Sequence, residues 1–122
     1  MKKNCIFIDA EHRRIVPHEV GEDYRDITKT IGCRVMEVAT YLPNDDVIYV
    51  DEEGRINGTK HYFVYDGNVF AGNGLVVGTG EEGETISCKS KELDIASRVE
   101  WANKATLPTI LTEPHMELRE WE

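Results

Sequence analysis

The stretch Gly72-Asn73-Gly74-Leu75-Val76-Val77-Gly78, followed by Thr79-Gly80, comes nearest to a ligand-binding loop in this chain. Anion-binding loops use glycines because backbone N–H groups must approach a phosphate closely, usually where a helix begins. No Gly-Lys-Ser/Thr follows, so the phosphate-loop pattern is absent. The dinucleotide pattern GxGxxG also fails, because three residues separate Gly74 from Gly78. The segment leads into a strand-like run, so its glycines are read as marking a turn or bulge, at least one of them with positive φ. Asn73 facing a ligand is the residual binding reading.

Other chemistry-bearing residues are scattered. His12, His18, His61 and His115 show neither HxH nor HxxxH spacing, so no local metal site is expected. Asp45-Asp46 and Asp51-Glu52-Glu53 lack the alternating ligand spacing of a calcium loop and sit in turns, where they read as solvated charges. A GxSxG elbow does not occur. The three cysteines, Cys5, Cys33 and Cys88, form no CxxC pair and lie in apolar stretches, so they are expected to be reduced and free of metal. The reading is therefore a non-enzyme with no catalytic residue, no metal and no cofactor. Arg34, Arg55, Lys60 and Asn73 are the polar residues best placed by sequence to line a pocket for a small nucleotide between subunits.

Elements must hold these residues in place, and 122 residues suit one core. Residues Cys5 to Ala10 and Arg14 to His18 predict a hairpin, with Pro17 suited to an edge. Tyr24, Ile27, Thr28 and Ile31 share one helical face, and Gly32 follows as a C-cap. Cys33 to Leu42 and Val47 to Val50 predict an antiparallel pair around Pro43-Asn44-Asp45-Asp46. His61 to Tyr65 is a further strand, and Leu75 to Thr79 pairs with Glu84 to Cys88. Ser90 is read as the cap of a second helix running to about Asn103, on the spacing of Ile95, Val99 and Ala102. Tight turns between strands predict an α+β fold: a mainly antiparallel sheet of about five or six strands with two helices. Residues 1–106 form the domain. Residues 107–122 form an acidic tail docked on that domain or on a partner subunit, with Ile110, Met116, Leu118 and Trp121 as its interaction surface.

The net charge of −9 repels phosphate backbones, which argues against long nucleic acid as a partner. It suits solubility, or docking into a basic groove on a nucleic-acid-handling protein. The apolar run after Met1-Lys2-Lys3-Asn4 is cut short by Asp9 and Glu11, too short for a secretory core or a membrane span. A cytoplasmic protein is expected.

Between about residues 31 and 88 the order is Ile31-Gly32, a strand to Leu42, Val50-Asp51-Glu52-Glu53-Gly54, Asn57-Gly58 and Ala71-Gly72-Asn73-Gly74-Leu75-Val76-Val77-Gly78. This resembles an uncharacterised domain-of-unknown-function family of small proteins from phages and conjugative elements. Gly58-Thr59-Lys60-His61 stands where that family has a proline-and-asparagine segment. The resemblance implies a mobile-element accessory protein in the host cytoplasm and supplies no catalytic residue. Opposing bacterial defence is a frequent role of such proteins. Three functions follow as expectations: an inhibitor of a bacterial host defence protein, a homo-oligomeric sponge for a small nucleotide signal, or a structural or regulatory mobile-element protein.

Overall fold

The computed structural model describes residues 2–21, 23–54 and 59–103. Nine strands and two helices fall within them: β1 (Lys3–Asp9), β2 (Arg14–Val20), α1 (Tyr24–Ile31), β3 (Met36–Tyr41), β4 (Asp46–Asp51), β5 (His61–Tyr65), β6 (Asn68–Ala71), β7 (Gly74–Thr79), β8 (Thr85–Ile86), α2 (Glu92–Ala96) and β9 (Val99–Asn103). Six strands make the main sheet, in the order β2-β1-β7-β4-β3, with β8 paired to β7. The other three make a small sheet in the order β6-β5-β9. Every pairing is antiparallel. The expected α+β architecture is present, and the small second sheet is an addition to it.

β7 explains the layering. Alternation sends Leu75 and Val77 to one face and Val76 to the other, and all three are closed to solvent. A strand covered on both faces reads as a continuous apolar run, as this one does. On one side Leu75 and Val77 join Cys5, Val20 and Val47 beneath Ile27 and Ile31 of α1. On the other, Ile6, Ile8, Ile48 and Val76 meet Phe63 and Tyr65 of the small sheet and Ile95 of α2. Phe63 is fully buried, and burying such a ring contributes about 2–3 kcal/mol. Gly74 makes room for it: a Cβ there would lie 2.9 Å from Phe63 Cζ.

α1 follows the sequence reading closely. Asp23 accepts the Arg25 N–H at its start, and Gly32 ends it at φ 86°, donating to Thr28 O at 2.9 Å. The second helix does not. It stops at Ala96, and Val99–Asn103 pairs instead with β5, with Phe63 opposite Trp101. Val99, Trp101 and Asn103 alternate with Glu100 and Ala102, and β5 offers those β-forming side chains a partner strand, which outweighs a sparse helical spacing. Ser90 is not the helix cap either. Lys91 holds that position without a side-chain cap, and Ser90 bonds elsewhere. Asp46, expected to be a solvated turn charge, is fully buried.

Candidate functional site

The two ends of the main sheet carry the polar architecture. At one end the β1–β2 turn lies beside the β6–β7 turn. Gly72 bends the chain there at φ 84° and donates its N–H to His61 O at 2.8 Å. Gly74 and Gly78 keep ordinary φ, so only Gly72 of the three meets the expected left-handed conformation. The bend brings Asn73 to the β1–β2 turn, where its Oδ1 accepts the Ala10 N–H at 2.9 Å. A cleft of about 360 Å³ opens beside it, lined in part by Lys60, His61, Asn73, Glu11 and Asp51.

Lys60 and Asn73, both singled out from the sequence, therefore share one cleft. Arg34 does not line it. Its guanidinium forms a two-point pair with Glu53, Nη2 to Oε2 at 2.6 Å and Nε to Oε1 at 3.2 Å, and that carboxylate raises its pKa. Arg55, Ile110, Met116, Leu118 and Trp121 lie outside the described residues. Among the described residues of the cleft, Glu11 and Asp51 outnumber Lys60 in charge, which weighs against a phosphate.

The same end holds a group that sequence reasoning missed. Asp9 is almost fully buried, and its carboxylate accepts Arg14 Nε–H at 2.8 Å and the His12 backbone N–H at 3.1 Å. His12 Nδ1 lies 2.9 Å from Asp9 Oδ2. Burial pushes the carboxyl pKa up, but hydrogen bonds from Arg14 and His12 outweigh it and hold the group below its ordinary value. An aspartate orienting an imidazole is half of a base dyad. Here the donors come from the hairpin itself, so the carboxylate closes the turn. The available signal was an acidic residue ending an apolar strand, three places before a histidine.

At the opposite end, Asp46 fixes the segment between β8 and α2. Its carboxylate accepts the Lys89 N–H at 3.0 Å, the Ser90 N–H at 2.8 Å and the Ser90 Oγ–H at 2.6 Å. Beside this anchor, Tyr41 is 74% exposed at the end of β3. It lines a cavity of about 560 Å³ together with Leu42, Asp45, Glu81, Ile86 and Lys89. The β7–β8 turn here carries Glu81, Glu82 and Glu84. Glu84 Oε1 accepts the Glu82 N–H at 3.0 Å, and Gly80 N–H donates to Glu84 O at 2.8 Å, so the acidic turn has a defined shape. Gly78 supports it by close approach: a Cβ there would collide with the Ser87 carbonyl oxygen.

The thiols are poorly suited to nucleophilic chemistry. Burial pushes Cys5 up to about 12, aided by Cys88 and Glu19, and pushes Cys33 and Cys88 up to about 11. All three are free thiols. Among the described residues no group of three or more His, Cys, Asp or Glu side chains is arranged to hold a metal ion. No helix among them is long and apolar enough to cross a membrane.

These features define a small, two-sheet α+β domain with a polar cleft at one end and an aromatic, carboxylate-rich surface at the other. A family model matches residues 1–99, and the chain belongs to that family, described as domain of unknown function DUF3846. The match extends well beyond the segment, residues 31–88, on which the sequence resemblance rests. No curated protein and no solved structure matches the chain.

Proposed function

We propose that this chain is a non-enzymatic accessory protein of a phage or other mobile element, which inhibits a bacterial defence protein by docking on a basic surface. The observation that carries the reading is Tyr41, 74% exposed beside the shaped Glu81–Glu84 turn. An exposed aromatic ring is a common anchor in protein interfaces, and carboxylates around it would steer a basic partner and fix its register. The net charge of −9 adds long-range attraction to such a partner.

The test is a panel of bacterial strains, each carrying one defined defence system, challenged by phage with and without this protein. The wild type should restore infection in at least one strain, and its binding to that strain's defence protein should weaken with salt. The variant Tyr41→Ala/Glu81→Lys/Glu82→Lys should lose both effects while keeping its circular dichroism spectrum. Restoration by the variant as strong as by the wild type would sink the reading.

A second reading is a homo-oligomeric sponge for a small nucleotide. It is favoured by the convergence of Lys60 and Asn73 on one cleft and opposed by Glu11 and Asp51 in the same lining. Ultraviolet absorbance of protein incubated with a nucleotide extract and then desalted distinguishes the two: retained nucleotide supports the sponge, and a protein-only spectrum rejects it.

A further inference from the structure

Tyr65 ends β5 and packs in the core between the two sheets, in the cluster that holds Leu42 and Ile95. It is only 4% exposed. A buried tyrosine hydroxyl usually finds a hydrogen-bond partner, yet this one has none among the described residues. Every wholly enclosed side-chain nitrogen or oxygen among those residues is hydrogen-bonded, so the Tyr65 oxygen must reach open space. That space is a cavity of about 350 Å³ where the β3–β4 turn, the β5–β6 turn and α2 meet. Leu42, Pro43 and Ile95 give it an apolar wall, and Asp66, Asp94, Lys89 and Arg98 give it a charged one. Arg98 Nη1 lies 3.3 Å from Asp66 Oδ1, a long contact between two side chains more than half exposed. The Asp94 carboxylate and the Lys89 ammonium make no ion pair among the described residues.

We propose that this cavity binds a small zwitterion of the α-amino-acid class, with its ammonium on Asp94, its carboxylate on Arg98 and the Tyr65 hydroxyl bonded between them. The described lining carries two acidic and two basic side chains, so its charge is balanced. Balance favours neither a phosphate-bearing anion nor a lone cation, whereas a molecule carrying both signs finds a partner for each. A guanidinium suits a carboxylate in particular, since its N–H groups match the two oxygens. Burial raises the Tyr65 pKa, with Asp66 and Asp94 adding to it and Arg98 partly offsetting it. The phenol therefore stays protonated at neutral pH and can both donate and accept. The three charged groups acting on it all border the cavity, in keeping with a hydroxyl that faces the same space. Small-molecule pockets span roughly 300–1,000 Å³, so a cavity of about 350 Å³ suits a ligand of amino-acid size. Leu42, Pro43 and Ile95 would receive a short aliphatic side chain. The frame is fixed, because the buried Asp46 carboxylate accepts the Lys89 N–H at 3.0 Å. Leu42 and Lys89 also border the cavity beside Tyr41, but the proposal does not depend on the inhibitor reading.

The test uses the full chain and the standard L-amino acids as probes, offered singly in saturation-transfer NMR. At least one should bind. For that amino acid the amide derivative lacks the carboxylate charge and the N-acetyl derivative lacks the ammonium, and each should bind about tenfold more weakly or worse. Tyr65→Phe deletes only the hydroxyl and should weaken binding while the circular dichroism spectrum is kept. Asp94→Asn, at an exposed position, should do the same and guards against a disturbance of the core by the first variant. In isotope-labelled protein the bound amino acid should shift the amide signals of Asp66, Ser97 and Arg98. Those of Gly72 and Asn73, at the other end of the sheet, should stay in place. Binding of no amino acid overturns the proposal. So does equal binding of either derivative, unchanged affinity in either folded variant, or a set of shifts centred on Gly72 and Asn73.

Discussion

Replacing Asp46 by alanine tests the clearest polar dependence in the fold. The carboxylate is fully buried and serves two backbone N–H groups, of Lys89 and Ser90, and the Ser90 hydroxyl. Removing it leaves three donors without their acceptor. Each buried, unsatisfied group costs about 1–3 kcal/mol, which sets an upper bound near 9 kcal/mol if nothing moves. The segment from Ser87 to Lys91 belongs to no strand or helix, so it can lift and admit water. The expected loss is therefore about 3–5 kcal/mol. Ser90→Ala removes only one donor and should cost about 1–2 kcal/mol. A domain of this size has about 5–15 kcal/mol in total, so the Asp46→Ala protein should still fold, with a clearly lower midpoint. Urea unfolding followed by far-ultraviolet circular dichroism reads the difference, provided the slope with denaturant is unchanged. A loss below about 1 kcal/mol for Asp46→Ala would show that the carboxylate does not hold this segment, and the reasoning fails.

Three further outcomes are expected. Gly72→Ala, which places a side chain at φ 84°, should destabilise by about 1 kcal/mol or more in the same unfolding assay; Gly78→Ala should cost more, because its Cβ meets the Ser87 backbone. The lowered Asp9 carboxyl contributes stability that is complete above its ordinary value of 3.8 and disappears as pH falls through the lower folded value. Asp9→Asn should accordingly lose less stability on acidification than the wild type across that window, and equal acid slopes would contradict the hydrogen-bonded turn. Iodoacetamide at pH about 8 should modify Cys5, Cys33 and Cys88 far more slowly in native protein than in denaturant, checked by intact mass, with rapid native labelling as the contrary result.

How far the sequence was legible depended on how local each signal was. α1 was largely readable because its apolar face and terminal glycine lie within nine residues, whereas its N-cap, Asp23, was not foreseen. Most of the strands were visible for the same reason, as β-branched runs between turn residues, although β6, Asn68–Ala71, was not among those expected. β9 was not, since Val99–Asn103 becomes a strand only through pairing with β5, a partner far back in the chain. Asp46 was misjudged because its donors, Lys89 and Ser90, are distant in sequence. Of the cleft residues, Lys60 and Asn73 were found by type and turn position, whereas Arg34 was diverted by Glu53 across a fold that spacing cannot reveal. Tyr41 looked like any strand residue; its exposure follows from β3 being an edge.

The order of strands in the main sheet also has a bearing on how the chain reaches this state. β1 and β2 form one hairpin, β3 and β4 another, and neither pairs with the other directly. β7 alone joins them, setting Ile6 opposite Val76 and Ile48 opposite the same residue from the other side. During synthesis both hairpins leave the ribosome with an open inner edge, and each waits for the strand that will sit between them. Such late, long-range closure is slow and leaves unpaired edges available to other chains. Folding rate, and the yield of soluble protein at high expression, should therefore be governed by β7 more than by either hairpin. Slowing translation at the point where β7 and β8 have both left the ribosome is a way to observe the sheet at the moment it becomes whole.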